Sequence, residues 1–441
     1  MPFTEVLALC MIGAFFVLLI AGIPVAVCLA VTGFAFGFVG FGPGLFDLIP
    51  ARVYGVVTNY TLLALPLFIF MGIMLEKSRI AEELLEVIGL AMGGLRGGMA
   101  MAIILVGVLM GAASGVVGAT VVTVGLIALG PIVNRGYDRA VAAGVICASG
   151  TLGQIIPPSL VLILLADIMG ESVGTLFAAA LIPGLLLAVL FVLYVLALGV
   201  LRPEAVPAIP AAERALVTPR QLAGKLVRVV LPPIALIVLV LGSIIGGVAA
   251  PTEAASMGAL GSLLLAALAR RLSYAVLRET VRAAFVASAM VFLILIFAQP
   301  FGLAFRGLGG EALVRDAFSL VPGGLEGQVL FLMLILFVLG FFLEWIEISY
   351  IALPLFLPVF QQAGVDMAWI AILVAVNLQT SFLTPPFGWA LFFLKGVAPP
   401  SVTTFDIYRG VLPFIALQLV GLALVFFFPA MATWLPSAIG W

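Results

Sequence analysis

Long, uninterrupted apolar runs decide what this chain can fold into. Val6 to Val39, Met99 to Val133, Leu176 to Leu201 and Val229 to Val248 each meet or exceed the roughly 20 apolar residues a helix needs to cross about 30 Å of hydrocarbon. With 65% hydrophobic and 9% charged residues, the chain lies far from the roughly half apolar, quarter charged balance of a soluble domain. The bilayer is therefore its expected solvent. The runs are continuous and rich in Leu, Ala and Gly, without the alternating segments of about 10 residues that mark a membrane barrel. The expected fold class is all-α and polytopic.

Charge supplies orientation. Of 19 Lys and Arg residues, nearly half fall in one stretch, at Arg202, Arg214, Arg220, Lys225, Arg228, Arg270, Arg271, Arg278 and Arg282. The positive-inside rule puts this stretch in the cytoplasm. A net charge of −1 gives no basic field for nucleic acid. Met1 to Glu5 lacks the positive flank of a cleavable signal, so the run after it is expected to remain as a first membrane helix. Arg202 to Arg228 reads as a linker, Lys77 to Glu86 as a solvated connector, and Ser273 to Arg282 as a helix lying at the interface. Trp434 and Trp441 suggest interfacial anchoring.

Enzyme chemistry has no foothold in these residues. There is no His, the three cysteines Cys10, Cys28 and Cys147 sit inside apolar runs, and no phosphate loop or metalloprotease motif occurs. No catalytic residue, cofactor, disulfide or His-based metal site is expected.

The chemistry is expected where polar residues break the runs. Shifting the sequence by 228 places Gly136 and Asp138 over Gly364 and Asp366, and Pro157-Pro158 over Pro385-Pro386. An internal repeat is the pattern transporters show. The interruptions are Gly111 to Thr120, including Ser114 and Gly115; Ser149 to Ser159, including Gly150, Thr151, Gly153 and Pro157; Phe342 to Ser349; and Asn377 to Gly388, including Gln379, Thr380, Ser381, Thr384 and Pro385. Paired prolines remove donors and clash with the preceding turn, so a helix reaching them unwinds and frees carbonyls. In a membrane such backbone is tolerated only where it is buried in protein or lines a wet cavity. Freed carbonyls with Ser and Thr hydroxyls suit sodium, and half-helix N-termini suit an anion. The competing reading is a simple kink with hydroxyls bonded back to their own turn, and it is kept for Pro232-Pro233 and Pro399-Pro400.

Four acids lie in apolar surroundings, Asp167, Glu253, Glu344 and Glu347, and an intramembrane carboxylate is costly enough to suggest function. Glu344 and Glu347, one turn apart, could share a cation, pair with another group or cap a helix. Asp167 reads as interfacial. Glu253 reads as structural, in a first turn that Thr252 caps.

Four segments carry a family resemblance: Ala64 to Gly72 (ALPLFIFMG), Gly150 to Ser159 (GTLGQIIPPS), Pro251 to Ala255 (PTEAA) and Leu383 to Gly388 (LTPPFG). In this order they closely resemble the large membrane subunit of tripartite ATP-independent periplasmic (TRAP) transporters, over almost the whole chain. The resemblance implies an importer of small organic acids in the cytoplasmic membrane of a bacterium or archaeon. It would work with a periplasmic substrate-binding protein and a separate small membrane subunit of four helices. It further implies two inverted repeats with re-entrant hairpins and broken helices, and an elevator movement driven by sodium. The family's ion sites map onto Asn59, Ser114, Gly150, Gly153 and Pro157, and onto Gln379, Thr380 and Thr384. Thr151, Ser159, Asn377, Ser381, Pro385, Gly115 and the two glutamates complete the expected ion and substrate set.

The implied organisation is scaffold helices over 1–53, a first repeat over 54–201, a linker over 202–228, and scaffold helices with an interfacial arm over 229–282. A second repeat over 283–409 and a last helix over 410–441 follow. Gln154, the acidic Leu343 to Glu347 segment and the polar Asn377 to Ser381 run depart from the common pattern and point away from a plain dicarboxylate. A stand-alone ion-coupled anion transporter that needs no binding protein remains the alternative.

Overall fold

The computed structural model describes residues 3–214 and 217–441, apart from the side chains of Ala113, Ser114 and Ala212. Helices make up the fold, and no strand occurs among the described residues. Among the described residues, seven helices are long and apolar enough to cross a membrane, including Phe3–Ile20, Val173–Leu201, Tyr274–Gly307 and Thr404–Phe427. Gly44–Val57 and Thr61–Lys77 form a pair bent by 54°.

The Val6 to Val39 run resolves into two helices, Phe3–Ile20 and Val25–Phe41, because Gly22 (φ +82°) and Pro24 end one and start the next. Val25–Phe41 lies flush on Tyr274–Gly307. A Cβ on Gly33 would sit 2.6 Å from the Phe301 nitrogen, so only glycine permits this approach. In lipid, where apolar burial gives helices no reason to associate, such small-residue contacts carry the packing.

The central stretch folds more than a linker would. Thr218 caps the helix Pro219–Val229, and Pro232-Pro233 open the next, Leu231–Ile245, without kinking it. Ser273 to Arg282 is not a separate interfacial helix. Ser273 caps a continuous helix, Tyr274–Gly307, in which no Gly or Pro interrupts the hydrogen-bond ladder between the cap and Pro300. At Pro251–Leu268 the carboxylate of Glu253 accepts from the Ala250 nitrogen at 2.9 Å. Thr252 does not cap, and its buried hydroxyl has no partner among the described residues.

Near the basic stretch, Arg271–Glu83 and Lys225–Glu86 (both 3.2 Å) tie the helix Ile80–Met92 to its neighbours, and Lys77–Glu279 (3.4 Å) ties the helix before it to Tyr274–Gly307. Exposed pairs of this kind contribute about 0–1 kcal/mol each, so they set register more than stability. The 202–206 segment anchors the same end: the Gly97 nitrogen donates to Val206 O and the Asp138 nitrogen to Ala205 O, both at 2.9 Å.

Candidate transport site

Two hairpins and two broken helices build the centre of the molecule. In the first hairpin, Gly98–Ser114 turns at Gly115 and Val116 into Val117–Val124, which continues through Gly125–Leu129 and Gly130–Asn134. Gly115 has φ +61° and a Cβ there would lie 2.9 Å from the Leu160 nitrogen, so the tip needs glycine twice over. The side chain of Ser114 lies outside the described residues. In the second hairpin, Gly324–Leu339 leads through Gly340 to Glu344 into Trp345–Glu347, Ile348–Ala352 and Leu353–Gln362. The hairpins enter from opposite ends. The first opens toward the 202–206 segment, the second toward Asp366, which shares a cleft with Thr175 and Trp441.

Each hairpin is followed by a helix that breaks at its Pro-Pro pair. Asp138 caps Arg139–Thr151, which unwinds through Leu152–Gln154 and resumes as Leu160–Met169. Asp366 caps Met367–Leu383, which gives way to an irregular turn before Trp389–Val397. The Pro157-Pro158 and Pro385-Pro386 bonds are both cis.

Hairpins and breaks touch backbone to backbone. A Cβ on Gly111 would fall 2.5 Å from Gly153 Cα, and one on Gly107 2.5 Å from Ser149 Cβ. Gly150 is closed in by Val121, and Gly340 of the second hairpin abuts Ser381. Asn377 Nδ2 donates to Met333 O across the second pair at 2.8 Å. Helix Thr404–Phe427 then braces both broken helices. Gly410 meets Gly144, Gln418 Nε2 donates to Thr151 Oγ1 at 3.1 Å, and Trp369 Nε1 donates to Val425 O at 2.8 Å.

The hydroxyls at the breaks do bond back to their own turns. Thr151 donates to Ala148 O (2.9 Å), Thr380 to Val376 O, Ser381 to Leu378 O and Thr384 to Thr380 O (each 2.8 Å). Ser159 donates to Gln154 O at 2.6 Å. Back-bonding uses the hydroxyl proton and leaves the oxygen lone pairs as acceptors, so the geometry is compatible with a kink and with a cation ligand alike. The side-chain amides of Gln154 and Gln379 differ: both are fully buried, and neither the oxygen nor the nitrogen has a hydrogen-bond partner among the described residues. An unmatched buried amide costs about 1–3 kcal/mol.

The four tips and breaks converge on a cavity of about 140 Å³. The hairpin tips contribute Val116 and Trp345, the breaks Leu160 and Trp389, and the facing helices Ile69 and Met290. Glu344 is the one charged side chain among the described lining residues. Trp389 Nε1 is a buried donor with no partner among the described residues.

For the glutamate pair the observed contact is a cap, with the Glu344 nitrogen donating to Glu347 Oε2 at 2.8 Å. Asn59 sits at neither Pro-Pro break. It lies at the bend before Thr61–Leu63, where its Nδ2 donates to Asp167 Oδ1 and its Oδ1 accepts from the Thr61 nitrogen at 2.9 Å. Asp167 also accepts from the Tyr350 hydroxyl at 2.8 Å. The residues that sequence reasoning left out of the site are Gln154, Gln418 and Trp389. A lone Gln inside an apolar run was the available signal for the first two.

The family described as tripartite ATP-independent periplasmic transporter, DctM component, matches residues 12–431. The C4-dicarboxylate TRAP transporter large permease protein DctM of Pseudomonas aeruginosa is 32% identical, with 91% of this chain and 92% of that protein covered. The ectoine TRAP transporter large permease protein TeaC of Halomonas elongata is 27% identical over 98% of both. The isethionate TRAP transporter permease protein DctMQ of Oleidesulfovibrio alaskensis is 29% identical over 95% of this chain but 65% of its own length. Among solved structures, the Alcanivorax borkumensis YdaH transporter superposes with a TM-score of 0.62 at 13% identity, covering 96% of this chain and 98% of that one, a likeness of fold. A match over this length, on a helical membrane fold whose hairpin tips and helix breaks meet at one cavity, makes this chain a member of the DctM family, the large permease component of TRAP transporters.

Proposed function

We propose that this chain imports a small organic acid across the cytoplasmic membrane by sodium symport, receiving it from a periplasmic substrate-binding protein. The observation that carries this reading is the convergence of two hairpin tips and two helix breaks on a single cavity. Neutral oxygens at the breaks, from Thr151, Thr380, Thr384, Gln154 and Gln379, are the ligand type sodium takes. The freed carbonyls add to them. Hairpins that enter from opposite ends fit an inverted repeat, and the flush contact between Val25–Phe41 and Tyr274–Gly307 fits a scaffold past which the central cavity moves.

A small membrane subunit is proposed as partner, since DctM and TeaC, which this chain matches over almost their whole length, are named large permease proteins. The relatives are named for C4-dicarboxylate, isethionate and ectoine, so substrate choice is assigned to the binding protein. The test is uptake of a labelled organic acid into proteoliposomes holding this chain and its small partner. Uptake that requires both the binding protein and an inward sodium gradient is expected. Uptake without the binding protein would favour the stand-alone transporter.

A further inference from the structure

The central cavity contains no Lys or Arg among its described lining residues, so an anion reaching it must give up water without meeting an opposite charge on a side chain. A second cavity, of about 210 Å³, has what the first lacks: Arg52 and Arg306 line it, together with Gln299, Asp167 and Tyr350.

Its position follows from two helices. Tyr274–Gly307 starts beside Arg270 and Arg271 and has 34 residues, about 51 Å at 1.5 Å per residue, which puts Arg306 at the end away from the basic stretch. Phe41 lies against Gly307 at that same end, and the helix Gly44–Val57 that follows it carries Arg52 there. The positive-inside rule makes this the periplasmic end, where basic residues are disfavoured. Two arginines converging on one cavity run against that bias.

The acid in the cavity is already occupied. Both Asp167 oxygens accept hydrogen bonds, from Asn59 Nδ2 and from the Tyr350 hydroxyl. Arg306 Nε lies 3.5 Å from Glu311 Oε1, which leaves its terminal nitrogens as donors, and a guanidinium offers five N–H groups in a planar fork matched to a carboxylate.

We propose that this cavity is a capture site for small carboxylates, in which Arg52 and Arg306 hold the anion at the periplasmic end before it reaches the central cavity. The proposal rests on the transport reading for the identity of its ligand, and its test is independent of transport. Phenylglyoxal modifies arginines, and the native complex is labelled in neutral-lipid vesicles with and without millimolar succinate, each arginine being followed by peptide mass spectrometry. Succinate is expected to slow modification of Arg52 and Arg306 several-fold while leaving Arg278 and Arg282, equally exposed but at the other end of the same long helix, unchanged. Equal rates with and without succinate would overturn the proposal. So would slowing that depends on phosphatidylglycerol and not on succinate, which would make the site a lipid headgroup site.

In uptake assays, Arg52→Gln and Arg306→Gln are expected to raise the apparent KM several-fold and flatten its salt dependence with kcat little changed, and Lys at either position to restore part of the effect. A KM and salt dependence unmoved in the double Gln variant would also overturn it. Protection by succinate in a complex that moves no acid would keep the capture site and remove the transport reading.

Discussion

The two helix breaks share a Pro-Pro pair and differ in what surrounds them. Every residue from Leu152 to Ser159 is buried, whereas the second break holds a half-buried Thr384 and an exposed Pro386 and Phe387. The first is clamped by the Gly111 backbone and by Gln418. At the second, among the described residues, one hydrogen bond reaches in from the flanking helix, from the Tyr408 hydroxyl to Pro386 O at 3.1 Å. Equal chemistry therefore sits in unequal settings, one sealed by neighbouring helices and one open at the surface. The same substitution should disturb the first break through its packing and the second mainly through its own oxygens.

Glycine replacement gives the largest expected contrast. In Gly153→Ala the new Cβ meets the Gly111 backbone of another helix, and overpacking of this sort costs about 1–3 kcal/mol. Gly388 is buried, but in Gly388→Ala the Cβ meets the chain just before its own break, Phe382 O at 2.7 Å, and the exposed Pro386 and Phe387 between them leave that segment room to shift. Thermal unfolding of the two variants measures the difference. A Gly388→Ala loss equal to that of Gly153→Ala would break the comparison.

Threonine replacement sharpens it. Thr151→Ala leaves buried Gln418 Nε2 without its acceptor, a loss of about 1–3 kcal/mol. Thr384→Ala removes a half-buried hydroxyl whose hydrogen bond among the described residues is to its own turn, and in the absence of sodium about 0.5 kcal/mol or less is expected, at the low end for a single hydrogen bond. Restored stability in the double variant Thr151→Ala, Gln418→Leu would confirm that the orphaned amide causes the first loss.

The smallest contrast is at the caps. Asp138 Oδ1 accepts from Ala140 N and Val141 N at 2.8 and 3.1 Å, while Asp366 accepts from Trp369 N alone at 3.0 Å. Loss of a cap costs about 1 kcal/mol, with Asp138→Ala expected above Asp366→Ala in denaturant or thermal unfolding.

Local chemistry made much of this architecture legible. The apolar runs, the Gly115 turn and both Pro-Pro breaks are properties of neighbouring residues, and the caps at Asp138 and Asp366 sit where Asp precedes an apolar run. Tertiary contacts were not legible. Asn59, Asp167 and Tyr350 come from three distant segments, so nothing near Asn59 in sequence shows that it bonds Asp167 and lies away from the breaks. The Ser273 to Arg282 segment misled for a related reason: its charges resemble a surface helix, but no Gly or Pro interrupts the ladder before Pro300. The flush fit of Gly111 on Gly153 likewise depends on a hairpin folding back, which a linear reading does not display.

The proposed coupling through the two breaks is tested most directly by titrating sodium, against potassium, while following thermal unfolding of the native chain, Thr151→Ala and Thr384→Ala. A ligand that binds only the folded state raises its unfolding temperature by mass action. The account predicts stabilisation by sodium and not potassium, with each variant needing several-fold more sodium for the same rise. Equal stabilisation by both ions, or an unchanged sodium midpoint in both variants, would contradict it.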